Sequence, residues 1–194
     1  MDSDSQSSKD SIIWQIAESY GKLLYSYEAQ ICQAEIFKRR LENFRWIQIV
    51  SSSISSASFL TSLAASNKIF YWITGVGSLT ALLLETYLKG SNLNNQIKES
   101  KSTSDQLWLI REKYISLLTD SDKLNEQDLI SKRDDLLTET SQVYKTAPIT
   151  SSKAYDRAQE LLKKNEAQYF EPYELVKLMP INIREKLNSI IKCC

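Results

Sequence analysis

The sequence predicts an all-α protein: a transmembrane helical hairpin extended by long cytoplasmic helices and closed by a short helical C-terminal tail. Three observations predict it. Two uncharged stretches, Trp46 to Ala65 and Ile69 to Leu84, stand almost back to back in a chain of which 25% is charged. Glycine (4) and proline (3) are scarce among 194 residues, and no alternating run of β-branched residues is found, which disfavours sheets. On both sides of the uncharged pair, apolar and small residues recur at steps of three and four, the period of an amphipathic helix.

Residues 1–10 are Ser/Asp-rich and polar, without a basic segment leading into an apolar core, and read as a disordered tail and not a signal peptide. Residues 11–45 form the first long helix, with Asp10 or Ser11 as its N-cap. Its seam is expected at Ile13, Ala17, Tyr20, Leu24, Tyr27, Ile31, Ala34, Phe37, Leu41 and Phe44, a heptad spacing that calls for a partner helix. No Pro or Gly separates Leu41 from Ile47, so this helix should run directly into the first span, residues 46–66.

A bilayer core of ~30 Å takes about 20 apolar residues per helix. The second span, residues 69–88, satisfies this as the first does, and the link of residues 67–68 leaves no room for a domain between them. Lys38, Arg39, Arg40 and Arg45 precede the first span and Lys89 follows the second, whereas the tip carries only Lys68. By the positive-inside rule both termini lie in the cytoplasm. Trp46, Tyr71, Trp72 and Tyr87 fall near the span ends, where aromatic rings favour headgroup depth. A soluble protein with a buried helical hairpin is the alternative, because serine dilutes the first span and the mean hydropathy of the chain is −0.33.

Residues 89–146 are cytoplasmic helices. Gly90 and the Ser91–Asn95 cluster interrupt the pattern. It resumes at Leu93, Ile97, Leu107, Ile110, Tyr114 and Leu117, the antiparallel partner of the first helix. A further helix covers Glu126 to Tyr144, ending before Ala147-Pro148 because a residue preceding proline is driven out of helical geometry. In the tail, residues 147–194, a helix from Lys153 to Asn165 is capped by Ser151 or Ser152, and shorter ones follow at 171–180 and 182–191.

Lys plus Arg equals Asp plus Glu at 24 each, so no global field attracts nucleic acid. The chain has no histidine, no Gly-rich phosphate loop and no cysteine pair at metal spacing. Neither catalysis nor a metal or other cofactor is expected. Cys32, Cys193 and Cys194 suit a reducing compartment. Cys193-Cys194 lacks the form of a C-a-a-X box.

The basic flank, the two adjacent spans with a minimal loop, and a tail containing Tyr144-Lys145-Thr146-Ala147-Pro148 followed by Ala154-Tyr155-Asp156-Arg157-Ala158 resemble the SLATT family over residues 15–165. The family comprises small bacterial two-transmembrane effectors found beside nucleotide-second-messenger synthases, nucleotide-sensing domains or reverse transcriptases in antiviral conflict systems. The resemblance implies a membrane pore that kills or arrests an infected cell. It also implies a trigger from a partner encoded nearby or acting on the helical tail.

Read from the residues, Gln48, Ser51, Ser55, Ser58 and Ser62 share one face of the first span, opposite Ile47, Val50 and Ile54. This hydroxyl stripe either lines a water-filled pore in a homo-oligomer or lets helices approach closely. Thr74, Gly77, Ser78 and Ala81 are the expected packing surface of the second span. Glu85, at the cytoplasmic end of that span, is expected within reach of Arg45 or Gln48, and a ring of such carboxylates at a pore mouth would favour cations. Lys38, Arg39, Arg40, Arg45 and Lys89 are the residues for anionic headgroups. A non-conducting membrane scaffold that recruits a partner through its cytoplasmic helices is the alternative function.

Overall fold

The computed structural model describes the backbone of residues 2–65 and 68–164, with side chains at 7–62 and 68–164. Five α-helices follow in order: α1 (Asp2–Ala65), α2 (Lys68–Gly90), α3 (Leu93–Asp120), α4 (Glu126–Thr146) and α5 (Ser152–Lys164), with a 3-10 turn at Ser121–Lys123. No strand occurs among the described residues. Two compact units divide the chain, residues 1–158 and 159–194, and of the second only the end of α5 is described. Of the link expected at 67–68, Lys68 is the first residue of α2, and residue 67, like the helices expected at 171–180 and 182–191, lies outside the described residues.

The spine is α1, 64 residues without a break, which at 1.5 Å per residue is about 96 Å long. It starts at Asp2, so the disordered tail expected at 1–10 is corrected over residues 2–10, which are helical, and Asp10 and Ser11 lie inside the helix. The reason is contact downstream. Ser8 Oγ donates to Glu126 Oε1 at 2.5 Å and Lys9 Nζ to the Asp122 carbonyl at 3.4 Å, which gives the polar first turns a docking surface.

The bundle core takes Ile12, Ile16 and Leu23 from α1, Leu107, Ile110, Tyr114 and Leu117 from α3, and Leu129, Leu136 and Val143 from α4. The seam is therefore displaced from the expected one. Ile13 and Tyr20 are only partly buried beside the core, while Ile12 and Ile16 fill it, because α1 is gripped by two helices at once and not by one. α3 runs antiparallel to α1: Leu41 and Leu93 lie together at one end, and Ala29 and Leu107 further along.

α4 runs parallel to α1 in one register. Arg133 donates to Gln15 Oε1 (2.8 Å), Tyr144 to Ser26 Oγ (3.0 Å), and Gln30 Nε2 to the Pro148 carbonyl (2.8 Å). Together with Ser8–Glu126 and Gln33–Ser151, all of these pairs are 118 residues apart. The α3–α4 turn is closed by Asn125, whose Oδ1 accepts from Asp128 N at 2.8 Å, and Lys113 bridges the two helices to both oxygens of Glu139.

Beyond the bundle α1 pairs with α2 alone. Phe44 meets Tyr87 edge-to-face at 5.1 Å, Ser55 accepts at its carbonyl from Thr74 Oγ1 at 3.4 Å, and Gly77 abuts Ser51 and Ser55, so α2 returns antiparallel along α1. Most large apolar side chains described on this pair are exposed, among them Ile47, Val50, Ile54 and Leu60 on α1 and Ile69, Trp72, Val76, Leu79 and Leu83 on α2, while Phe44, Phe70, Leu84 and Leu88 are half-buried. α2 buries no residue at all. Such a contiguous apolar surface is foreign to water and suits lipid.

Removing side chains from the core tests this architecture. Leu23→Ala, at a fully buried position touching the α3 and α4 side chains, should lower the unfolding free energy by about 2–5 kcal/mol in denaturant titrations. The same change at Leu60, exposed on the apolar pair, should leave that transition where it is.

Candidate functional site

The hydroxyl stripe of α1 lies against α2. Ser55, Ser58 and Ser62 are buried, the last at 1% exposure, and Gln48 and Ser51 are half-buried on the same face. Across from them stand Thr74, Gly77 and Ala81, all half-buried. Ser78, expected on this packing surface, is exposed; as the residue next to Gly77 it is rotated about 100° around the helix from that contact. Gly77 is the point of closest approach. A Cβ there would collide with Ser55 Oγ and come within 3.1 Å of the Ser51 carbonyl, so glycine is required by space and not by backbone conformation.

Most of the hydroxyls donate within their own helices. Ser53, Ser55, Ser56 and Thr61 each donate to the carbonyl four residues back at 2.8–2.9 Å, Ser52 does the same to Gln48, and Ser62 donates to Phe59 at 2.7 Å. On α2, Thr74, Thr80 and Thr86 repeat the pattern. This back-bonding is what makes so serine-rich a helix tolerable in an apolar setting. It leaves each hydroxyl oxygen free to accept from water.

At the bundle end of the pair, Glu85 is held by Lys89 at 2.7 Å along the same helix, instead of by Arg45 or Gln48 across the pair. The reason is spacing: residues four apart on a helix are neighbours, and Lys89 is long enough to reach back. Arg45 and Gln48 nevertheless line the same cleft as Glu85 and Lys89. Lys38, Arg39 and Arg40 are exposed on α1, one to two turns further from the apolar pair. The chain leaves α2 through Asn92, whose left-handed φ of 51° asparagine tolerates, and α3 starts at once.

A second constellation, which sequence reading did not single out, locks the α4–α5 connection to α1. Gln33, almost fully buried, accepts from both the amide and the hydroxyl of Ser151 at 2.8 Å. Ser151 Oγ in turn caps α5 through Ala154 N at 3.3 Å, as the sequence suggested. Gln30 holds Pro148, Tyr155 stacks on Tyr25 at 6.1 Å, and Arg157 pairs with Glu35 at 2.9 Å. The Tyr-x-x-x-Pro and Tyr-Asp-Arg residues of the tail motif are therefore the ones that bolt the chain back onto α1. The glutamines gave a signal, since amides at 30 and 33 interrupt an otherwise apolar and small face, but a partner 118 residues away is not legible from one sequence.

Beside this lock, Glu28 is 5% exposed with one carboxylate oxygen lacking any hydrogen bond. Burial, then the charge of Glu35, raises its pKa. Burial, with Glu28 next, pushes the Cys32 thiol up to about 11.

Among the described residues, one helical stretch, Lys68–Lys123, holds an 18-residue window apolar enough to cross a membrane, with a mean hydropathy of 1.3 and none of it buried. A family model described as "SMODS and SLOG-associating 2TM effector domain family 4" matches residues 12–174. No curated protein and no solved structure matches the chain.

Two solution measurements check the lock. Glu28 carries a raised pKa in the folded chain, so the folded state retains a proton that the unfolded state has released, and stability falls as pH rises through that window. Glu28→Gln should raise Tm at neutral pH and lose this part of the pH dependence in thermal scans at pH 4 to 8. In a Cys193→Ser, Cys194→Ser background, Cys32 should resist maleimide at pH 7.5 and label fully in denaturant, as a buried protonated thiol does.

Proposed function

The chain belongs to the SMODS and SLOG-associating 2TM effector domain family 4, a family of membrane effectors of conflict systems, and we propose that it acts by forming a pore from assembled α1–α2 hairpins. In this reading both helices span the inner membrane, the bundle and both termini lie in the cytoplasm, and several copies assemble. The observation that carries it is the line of polar side chains turned toward α2, with Ser55, Ser58 and Ser62 buried and Gln48 and Ser51 half-buried, while Ile47, Val50, Ile54, Trp72, Val76 and Leu79 are exposed.

The resting pair is closed, because α2 covers the stripe. What holds it there is weak. A single hydrogen bond joins the two helices among the described side chains of the spans, Thr74 to the Ser55 carbonyl at 3.4 Å, and contacts of that kind in membranes average ~0.6 kcal/mol. Rolling α2 off the Gly77–Ser55 contact exposes an uncharged file of hydroxyl oxygens, each able to accept from water without breaking its own helix. Neighbouring hairpins in the oligomer supply the apolar contacts that α2 gives up. A nucleotide-second-messenger synthase, a nucleotide sensor or a reverse transcriptase encoded nearby provides the trigger, received by the cytoplasmic bundle.

A non-conducting scaffold is favoured by one feature: the hydroxyls already have partners in the resting pair. Leakage separates the two. Purified protein in dye-loaded liposomes should release dye, and Ser55→Leu, which fills the stripe with a bulky apolar side chain, should cut the rate at least tenfold at equal insertion. Wild-type protein that inserts and assembles without leakage, while unrelated spans support its cellular effect equally well, would establish the scaffold instead.

A further inference from the structure

We propose that the cleft where α1, α2 and α3 meet binds the headgroup of an aminophospholipid, with its phosphodiester on Arg45 and Lys89 and its ammonium on Glu85. The proposal rests on the membrane reading above, which puts this cleft at headgroup depth. Arg45 stands one residue before Trp46, where the exposed apolar surface of α1 begins, and Glu85 lies two residues before Tyr87, near the end of α2.

The cleft has a volume of about 400 Å³, within the range of sites that hold small ligands. Its apolar lining, Leu41, Leu88 and Leu93, suits a glycerol backbone and the first acyl carbons. Its charged lining is two cations and one anion: Arg45, Lys89 and Glu85. A purely anionic ligand meets Glu85, and a purely cationic one meets both basic groups. A headgroup carrying both charges satisfies all three.

The existing Glu85–Lys89 pair does not block this. At 48% and 77% side-chain exposure it is a solvent-screened pair that contributes little, so exchanging partners with a headgroup is nearly neutral. Gln48 and the amides of Asn94 and Asn95 add donors around the phosphate. Glu85 gives the site its selectivity. A primary ammonium donates hydrogen bonds to a carboxylate, and a quaternary trimethylammonium has no N–H to donate.

The test uses the full chain in vesicles, first floated to establish insertion, then released into detergent for native mass spectrometry with equimolar phosphatidylethanolamine, phosphatidylcholine and phosphatidylglycerol. The native chain should retain phosphatidylethanolamine about fivefold over phosphatidylcholine, the worth of roughly one charge contact at a headgroup. Glu85→Gln should erase that preference while keeping phosphatidylglycerol. Arg45→Gln should lower retention of all three, and Lys153→Gln, at an exposed lysine of α5, should change nothing. Protein that does not float sinks the membrane reading and this site with it. Protein that floats but retains the three lipids alike, or responds to Lys153→Gln as to Arg45→Gln, overturns the headgroup site alone. Loss of the bound lipid to inorganic phosphate would make the ligand a free anion and overturn it as well.

Discussion

Everything in this structure is registered on one unbroken helix. α1 carries no proline, and its single glycine, Gly21, lies within the bundle half, so nothing along its 64 residues provides a hinge. α4 and the segment after it keep a constant offset of 118 residues from it, from Ser8–Glu126 to Gln33–Ser151. α3 and α2 return antiparallel along its two halves. Propensity alone does not hold such a helix in one place, and most of its stability comes from tertiary contact along its length.

Those contacts differ in kind between the two halves. In the bundle, Ile16, Leu23, Leu107 and Leu129 are removed from water completely, and each such side chain contributes about 1.5–3 kcal/mol by transfer. In the apolar pair, no residue of α2 is buried, and the helices are joined by close approach at Gly77 and by small side chains. Lipid is as apolar as leucine, so burying leucines there would gain little, and only van der Waals fit and rare hydrogen bonds remain. The bundle is thus a firm clamp and the pair a loose one, built on the same spine.

The sequence was most legible where periodicity and composition act over many residues. The uncharged stretches, the resumption of pattern at Leu93 and the stop before Ala147-Pro148 correspond to α1, α2, α3 and α4 closely, and α5 begins within one residue of expectation. Local composition misled at residues 2–10, where a Ser/Asp-rich segment is helical because Glu126 and Asp122 give it partners that lie far along the chain. The heptad seam was placed a residue off at Ile13 and Tyr20, since a two-partner helix buries a broader face than a coiled coil does. For the candidate site, the stripe, Gly77 and Glu85 stood out as residue types. The partner of Glu85 did not, because a neighbour four residues on competes better than one across the pair.

The lock at Gln33 and the stripe at Ser55 are 22 residues apart on the same helix, about 33 Å. With no hinge between them, an axial turn of α1 imposed at one end reaches the other, and it reaches an interface that is sensitive to rotation. A turn by one residue, 100°, would take Ser55 off Gly77 and put an isoleucine or a second serine in its place, where the glycine no longer matches. The bundle resists that turn as long as Ser151, Pro148, Tyr155 and Arg157 hold their partners on α1. The tail lock is therefore one of the contacts, with the core around Ile16 and Leu23, that fix the rotation of the spine, and the Gly77–Ser55 contact is the interface most sensitive to that rotation.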